Sequence, residues 1–193
     1  MDRIVDDEIL VVQFQTGRQE AFDELMKRYK HKIYAYLLRS VRNYEDAEEL
    51  TLEVFVKVYR ALSKWRPEAR FSTWLYKIAK NLSIDHHRAK SRRFTYSLDD
   101  EELSFNEPAA VDLRSNPEWQ LEENDRNRII REAVDALSPK QKETFMLYRY
   151  EGLQIREIAE VLGMAEGTVK IHLHRAMKKL RNVLLPLWEG NEI

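Results

Sequence analysis

A chain of 193 residues with 44% hydrophobic side chains can fill the core of one ordinary domain or two small ones, which excludes a wholly disordered polypeptide. It holds no cysteine, so a disulfide framework, a thiolate metal site and a cysteine nucleophile are excluded as well. Its 32 Lys and Arg against 33 Asp and Glu leave a formal net charge of −1, which at face value argues against a partner that is simply a large polyanion.

The N-terminus carries Asp2, Asp6, Asp7 and Glu8 where a secretory signal would need a basic stretch and an apolar run. No apolar segment nears the roughly 20 residues that span a bilayer. Insertion into a membrane is therefore not expected, and the expected compartment is the reducing cytoplasm. With only 5 Gly and 5 Pro, and abundant Glu, Lys, Arg, Leu and Ala, the chain reads as all-α.

The first predicted element is a short amphipathic helix around Ile9 to Phe14, broken at Gly17. From Phe22 the apolar residues Leu25, Tyr29, Ile33 and Leu37 recur at helical spacing. A second set runs Ala47, Leu50, Val54, Phe55, Val58 and Leu62, and a third Phe71, Trp74, Leu75, Ile78 and Leu82. The natural turns between them are Arg42-Asn43-Tyr44 and Trp65-Arg66-Pro67. Together these predict a helical bundle over residues 1–93. The periodicity lapses over residues 94–116, where Asp99, Asp100, Glu101, Glu102, Glu107 and Asp112 mark an acidic, flexible linker.

A second helical domain fills residues 117–193. Asn116-Pro117-Glu118 reads as a helix start. Ser138-Pro139-Lys140-Gln141 reads as a capping box. Ile155 to Leu180 has the anatomy of a helix-turn-helix: a helix with Ile158, Ala159 and Leu162, a turn at Gly163, and a second helix entered through Glu166-Gly167-Thr168-Val169. On that second helix Val169, Leu173, Ala176 and Leu180 share one face. Lys170, Ile171, His174, Arg175 and Lys178 share the other, and from Lys170 to Arg181 there are five basic residues and no acidic one. Such a helix can neutralise phosphates while its N-terminal half reaches base edges in a major groove.

The first domain carries a second surface of this kind. Lys57, Arg60, Lys64, Arg66, Arg70, Lys77, Lys80, Arg88, Lys90, Arg92 and Arg93 are interleaved with Tyr59, Trp65, Phe71, Trp74 and Tyr76. Cations follow a phosphate backbone and aromatic rings offer stacking faces to unpaired bases, so the mixture suits single-stranded or melted DNA. The spacing of Phe71 and of part of Trp74 favours the core, whereas Trp65, beside Pro67 in a loop, is expected to be exposed. Tyr44-Glu-Asp-Ala-Glu-Glu-Leu50 is an acidic helix start favoured by the helix dipole. Its carboxylates can simply cap the helix or, with Glu53, present an acidic ridge to a basic partner protein.

Counted by segment, the near-neutral total resolves. Residues 1–53 carry a net −4, residues 54–93 a net +9, residues 94–116 a net −5 and residues 117–193 a net −1. Neutrality here is a cancellation between an acidic start, a basic middle and an acidic linker.

Three segments in this order, Asp46-Ala-Glu-Glu-Leu-Thr-Leu-Glu-Val-Phe55, Phe71-Ser-Thr-Trp-Leu-Tyr-Lys-Ile-Ala-Lys-Asn-Leu82, and Glu166-Gly-Thr-Val-Lys170 followed by His174-Arg-Ala176, resemble the RNA polymerase sigma factors of the extracytoplasmic-function group. The resemblance covers nearly the whole chain. It implies that the helix from Asp46 to Leu62 docks on core RNA polymerase, with Asp46, Glu49, Leu50, Glu53 and Val54 as contacts. It implies that Lys64, Trp65, Arg66, Arg70, Trp74, Lys77, Lys80 and Asn81 recognise and melt the downstream promoter element. In the second domain, Thr168, Lys170, Ile171, His172, His174, Arg175 and Lys178 would read the upstream element of the promoter DNA. An inhibitory anti-sigma factor is a further implied partner, and the linker would thread toward the RNA exit channel. The chain departs from the family pattern at Leu52, where Gln is common, and at Ile171 and His172, where Ser and Arg are commoner.

Two other functions compete. An autonomous helix-turn-helix regulator, with an N-terminal sensing or dimerisation domain, would need no second nucleic-acid surface carrying stacking rings. An enzyme finds no support, since there is no Gly-rich phosphate loop and the pairs His86-His87 and His172-x-His174 lack a third metal ligand at sensible spacing. No cofactor and no metal are expected.

Overall fold

Two left-handed residues decide where helices stop. Arg42, at φ 55°, ends one helix, and the extended Asn43 opens the next, its Oδ1 accepting the Asp46 N–H at 2.8 Å. Gly163, at φ 66°, ends another, and the Met164 N–H closes back on the Ala159 carbonyl at 3.0 Å. A Cβ on Gly163 would meet nothing within 4 Å, so backbone angle and not space makes glycine the fitting residue there.

The computed structural model describes residues 5–97 and 125–189, with side chains over 5–92 and 128–185. All regular structure among the described residues is helical. The chain divides into two compact units, Met1–Val111 and Asp112–Ile193.

In the first unit α1 (Asp7–Gln15), α2 (Glu20–Val41), α3 (Tyr44–Leu62) and α4 (Phe71–Ser97) pack around one core. Val11, Leu25, Ile33, Leu37, Val54, Val58, Leu62, Phe71, Leu75 and Ala79 are almost wholly buried, and each set lies on the helical stripe that its spacing predicts. Edge-to-face pairs, Tyr36 with Tyr76 at 5.5 Å and Tyr29 with Phe71 at 5.7 Å, fasten α2 to α4. The last helix runs past the expected end at Arg93 to Ser97, because Arg92 to Thr95 holds no breaker. The rest of the predicted linker, and the predicted start at Asn116-Pro117, lie outside the described residues.

The second unit comprises α5 (Asp125–Asp135), α6 (Pro139–Arg149), α7 (Ile155–Leu162) and α8 (Glu166–Glu189). Ala133, Val134, Leu137, Phe145, Ala176 and Leu180 form its core cluster, with Ile130, Leu173 and Leu184 packed against it. The turn between α7 and α8 is Gly163-Met164-Ala165, so the pair is the helix-turn-helix read from the sequence. The capping box at Ser138 does not form. Ser138 makes no side-chain cap, and Gln141 is buried, with its Oε1 unpaired among the described residues and so not reaching back to the Ser138 N–H. The reciprocal device stands one helix later, where Glu157 Oε2 accepts the Gln154 N–H at 2.7 Å.

Candidate nucleic-acid interface

In the first unit the expected DNA-facing residues occupy the loop between α3 and α4 and the first turns of α4. Arg70, Trp74, Lys77 and Asn81 fall at helical spacing i, i+4, i+7 and i+11, so they share a stripe opposite the buried Phe71, Leu75 and Ala79. Lys64, Arg66, Arg70, Lys77 and Asn81 are exposed, while Lys80 is half-buried on the flank of that stripe. Trp65 corrects the sequence reading. It is half-buried, with its ring 6.2 Å from that of Trp74 and 6.5 Å from that of Phe71, because an indole beside two other rings loses more by facing water than the loop gains in freedom. The structure therefore places two half-open indoles side by side, flanked by cations.

The outer side of α3 also differs from expectation. Leu50 and Val54 are 5% and 0% exposed, so they belong to the core and cannot touch a partner without opening the bundle. Asp46 turns inward across the bundle, its Oδ2 3.1 Å from His86 Nε2 and 3.4 Å from Lys90 Nζ, tying the start of α3 to α4. Glu49 and Glu53 are exposed, the latter paired with Lys57 at 3.1 Å. Beside them on the exposed side of α3 stand two apolar residues, Leu52, singled out above only as a departure from the family pattern, and Val56, not singled out at all; they are 60% and 46% exposed. The signal was available: if 50, 54 and 58 are buried, then 52, 56 and 59 at i, i+4 and i+7 must face out. Tyr59 ends this stripe, braced edge-on by Phe14 at 5.4 Å and Phe22 at 5.1 Å.

The neighbouring histidines on α4 have separate structural partners, His86 in the Asp46 pair and His87 3.3 Å from the Ser40 carbonyl. Among the described residues no group of His, Asp and Glu is arranged to hold a metal ion.

In the second unit α8 presents Thr168, Lys170, Ile171, His174, Arg175 and Lys178 to solvent, with Ile171 52% exposed between cations. His172 does not join them fully. Standing three residues after the buried Val169 and four before the buried Ala176, it lies on the inner flank of the helix, half-buried, with Nδ1 enclosed and unpaired among the described residues.

One unit thus offers cations beside indoles and the other a basic helix at the end of a helix-turn-helix. The Sigma-70 region 2 model matches residues 25–93, and the Sigma-70, region 4 model matches residues 127–180. The chain is 32% identical over 184 residues to the RNA polymerase sigma-H factor of Pseudomonas aeruginosa, covering 94% of this chain and 95% of that one. It is also 32% identical over 189 residues to the ECF RNA polymerase sigma-E factor of Escherichia coli K12, covering 97% and 98%. Among solved structures, the fold resembles CnrH in complex with the cytosolic domain of CnrY, with a TM-score of 0.66, 24% identity, and 92% of this chain and 96% of that one covered. The sigma factor RpoE in complex with the anti-sigma factor NepR from Bartonella quintana gives a TM-score of 0.64 at 19% identity, covering 84% and 96%. The chain belongs to the extracytoplasmic-function group of RNA polymerase sigma factors. The autonomous-regulator reading falls away, because the N-terminal unit is matched as a sigma region in its own right.

Proposed function

We propose that this sigma factor binds core RNA polymerase through the outer face of α3, with Glu49, Leu52, Glu53 and Val56 as contacts. In this reading the α3–α4 loop and the exposed stripe of α4 take up the melted downstream promoter element. Lys64, Arg66, Arg70, Lys77 and Lys80 follow the phosphates, Trp65 and Trp74 receive unstacked bases, and Asn81 hydrogen-bonds a base or sugar edge. The helix α8 lies in the major groove of the upstream element, Thr168, Lys170, His174, Arg175 and Lys178 holding backbone and base edges. Residues 1–93 and 117–193 act as the two functional domains, with the acidic segment 94–116 as tether. The protein works in the cytoplasm without a catalytic step or cofactor of its own. An anti-sigma factor holds it inactive, as NepR is bound to RpoE of Bartonella quintana.

The observation that carries this reading is the separation of two DNA-suited surfaces onto two units of a chain whose total charge is only −1. The basic middle is offset by the acidic start and the acidic linker, so each surface is expected to hold promoter DNA weakly until the polymerase sets the two in register. Purified chain added to core RNA polymerase is expected to produce promoter-dependent transcription while binding promoter duplex weakly alone; equally tight duplex binding without core would refute the reading.

Within α8, Ile171 and Lys178 are expected to behave differently. Ile171, apolar and exposed among cations, packs on a thymine methyl or neighbouring sugar, so Ile171→Ser changes which upstream sequence is preferred. Lys178→Ala instead leaves the preference alone and lowers the salt slope of promoter binding by about one phosphate's worth. Selection from randomised duplexes, repeated across a salt series, checks both; an unchanged preference for Ile171→Ser removes its assigned contact.

A further inference from the structure

The loop that carries Lys64, Trp65 and Arg66 has no regular structure, yet helix α1 closes over both its ends. From the last residue of α1, Gln15 Nε2 donates to the Leu62 carbonyl at 2.9 Å and to the Trp65 carbonyl at 2.8 Å. A primary amide has two N–H groups, and both are used on this turn. At the first turn of α1, Glu8 Oε1 accepts the Phe71 N–H at 3.0 Å, satisfying a donor that the start of α4 leaves open. Glu8 and Gln15 stand about two helical turns apart on one side of α1, which matches the gap between the ends of the loop.

The helix that supplies these groups is itself secured. Leu10 and Val11 are buried in the bundle. Asp7 Oδ1 pairs with Arg28 at 2.9 Å, and its Oδ2 accepts the Tyr29 hydroxyl. Burial, aided by that bond to Asp7, pushes the Tyr29 phenol pKa up, so it remains a donor. Arg28 also donates to Glu24 at 2.9 Å and to the Val5 carbonyl at 2.5 Å. The loop is thus clasped by polar bonds at its backbone and by the ring contacts of Trp65 on its inner side.

We infer that α1 is the positioning element of this loop, and that Gln15 and Glu8 set its sequence discrimination without touching DNA. The inference rests on the proposal that the loop binds melted DNA. Attraction of Lys64 and Arg66 to phosphate tolerates a loop that wanders, whereas selective uptake of a base between indole and backbone does not. Loss of the clasp therefore lowers binding of the preferred sequence and spares non-specific binding.

The test uses the full chain bound to core RNA polymerase. A short single-stranded DNA selected by the wild-type complex from a randomised pool is compared with a scrambled strand of the same composition. Gln15→Met, which keeps length and removes both donors, is expected to reduce discrimination about tenfold. The scrambled strand should still bind within about twofold of wild type. Affinity for core should be unchanged. Glu8→Leu is expected to act in the same direction, and Glu8→Gln, which keeps an acceptor oxygen, to restore most of the discrimination. Equal loss on both strands, or wild-type discrimination in both Gln15→Met and Glu8→Leu, overturns the inference. A wild-type complex that does not discriminate at all refutes the loop's assignment to melted DNA instead, and the inference falls with it.

Discussion

The double variant Leu52→Lys, Val56→Lys is expected to lower affinity for core RNA polymerase by about 30-fold or more, the effect of losing a contact worth about 2 kcal/mol or more at the centre of an interface. Both side chains are largely in water in the free protein, so their replacement removes little burial, and the melting temperature should stay within about 2 °C of wild type. Two new ammonium groups also offset the charge of the neighbouring Glu49 and Glu53 carboxylates, which the proposal places at the interface. Val54→Ala makes the opposite pair of changes. Its side chain is wholly buried, so truncation costs roughly 2 kcal/mol of stability, while affinity for core among folded molecules is retained. Titration of labelled core with each variant, alongside thermal unfolding by circular dichroism, separates the two. Wild-type affinity in the double variant would move the polymerase contact off this face of α3.

Replacing Lys64, Arg66 and Lys80 together by Ala is expected to suppress promoter opening by roughly tenfold or more. It should also flatten the salt dependence of the opening step by about 2 in log–log slope, as loss of three single-strand phosphate contacts requires. Closed-complex formation, which the proposal assigns to α8, should change by about twofold at most. The aromatic pair of Trp65 and Trp74 is not altered by these changes, so any residual opening reports stacking without phosphate neutralisation. Permanganate reactivity of unpaired thymines measures opening, and retention of promoter duplex measures the closed complex. Equal losses in the two would assign these cations to duplex binding and end their role in melting.

The two experiments differ in how much of their design was readable from residue order. The basic-aromatic stretch and the helix-turn-helix were visible because charge and periodicity are local: Lys64, Arg66 and Lys80 are cations in any fold, and Val169, Leu173, Ala176 and Leu180 share a face of any helix through them. The turn at Gly163 was equally legible, since left-handed backbone favours glycine wherever it occurs. Of the residues named as polymerase contacts, Leu50 and Val54 are buried, and the large aliphatic residues that α3 exposes are Leu52 and Val56, each two positions further on. The spacing of Ala47, Leu50, Val54, Phe55 and Val58 already places Leu50 and Val54 inside and Leu52 and Val56 outside; it is the family resemblance, not the helical period, that points to Leu50 and Val54 as contacts.

The net charge of −1 illustrates the division. Residue order alone specifies an all-helical chain of two blocks with an acidic start, a strongly basic middle and a basic second helix in its helix-turn-helix, because composition, period and charge are carried by the residues themselves. Helix packing is what pairs Asp46 with His86 and Lys90, leans Trp65 on Trp74, turns His172 inward, and lets Gln15 and Glu8 reach across to the α3–α4 loop. Each of those is a pairing between residues distant in the chain or a choice between two sides of a helix. Such choices follow from which surfaces exclude water together, and that is settled only when the helices pack.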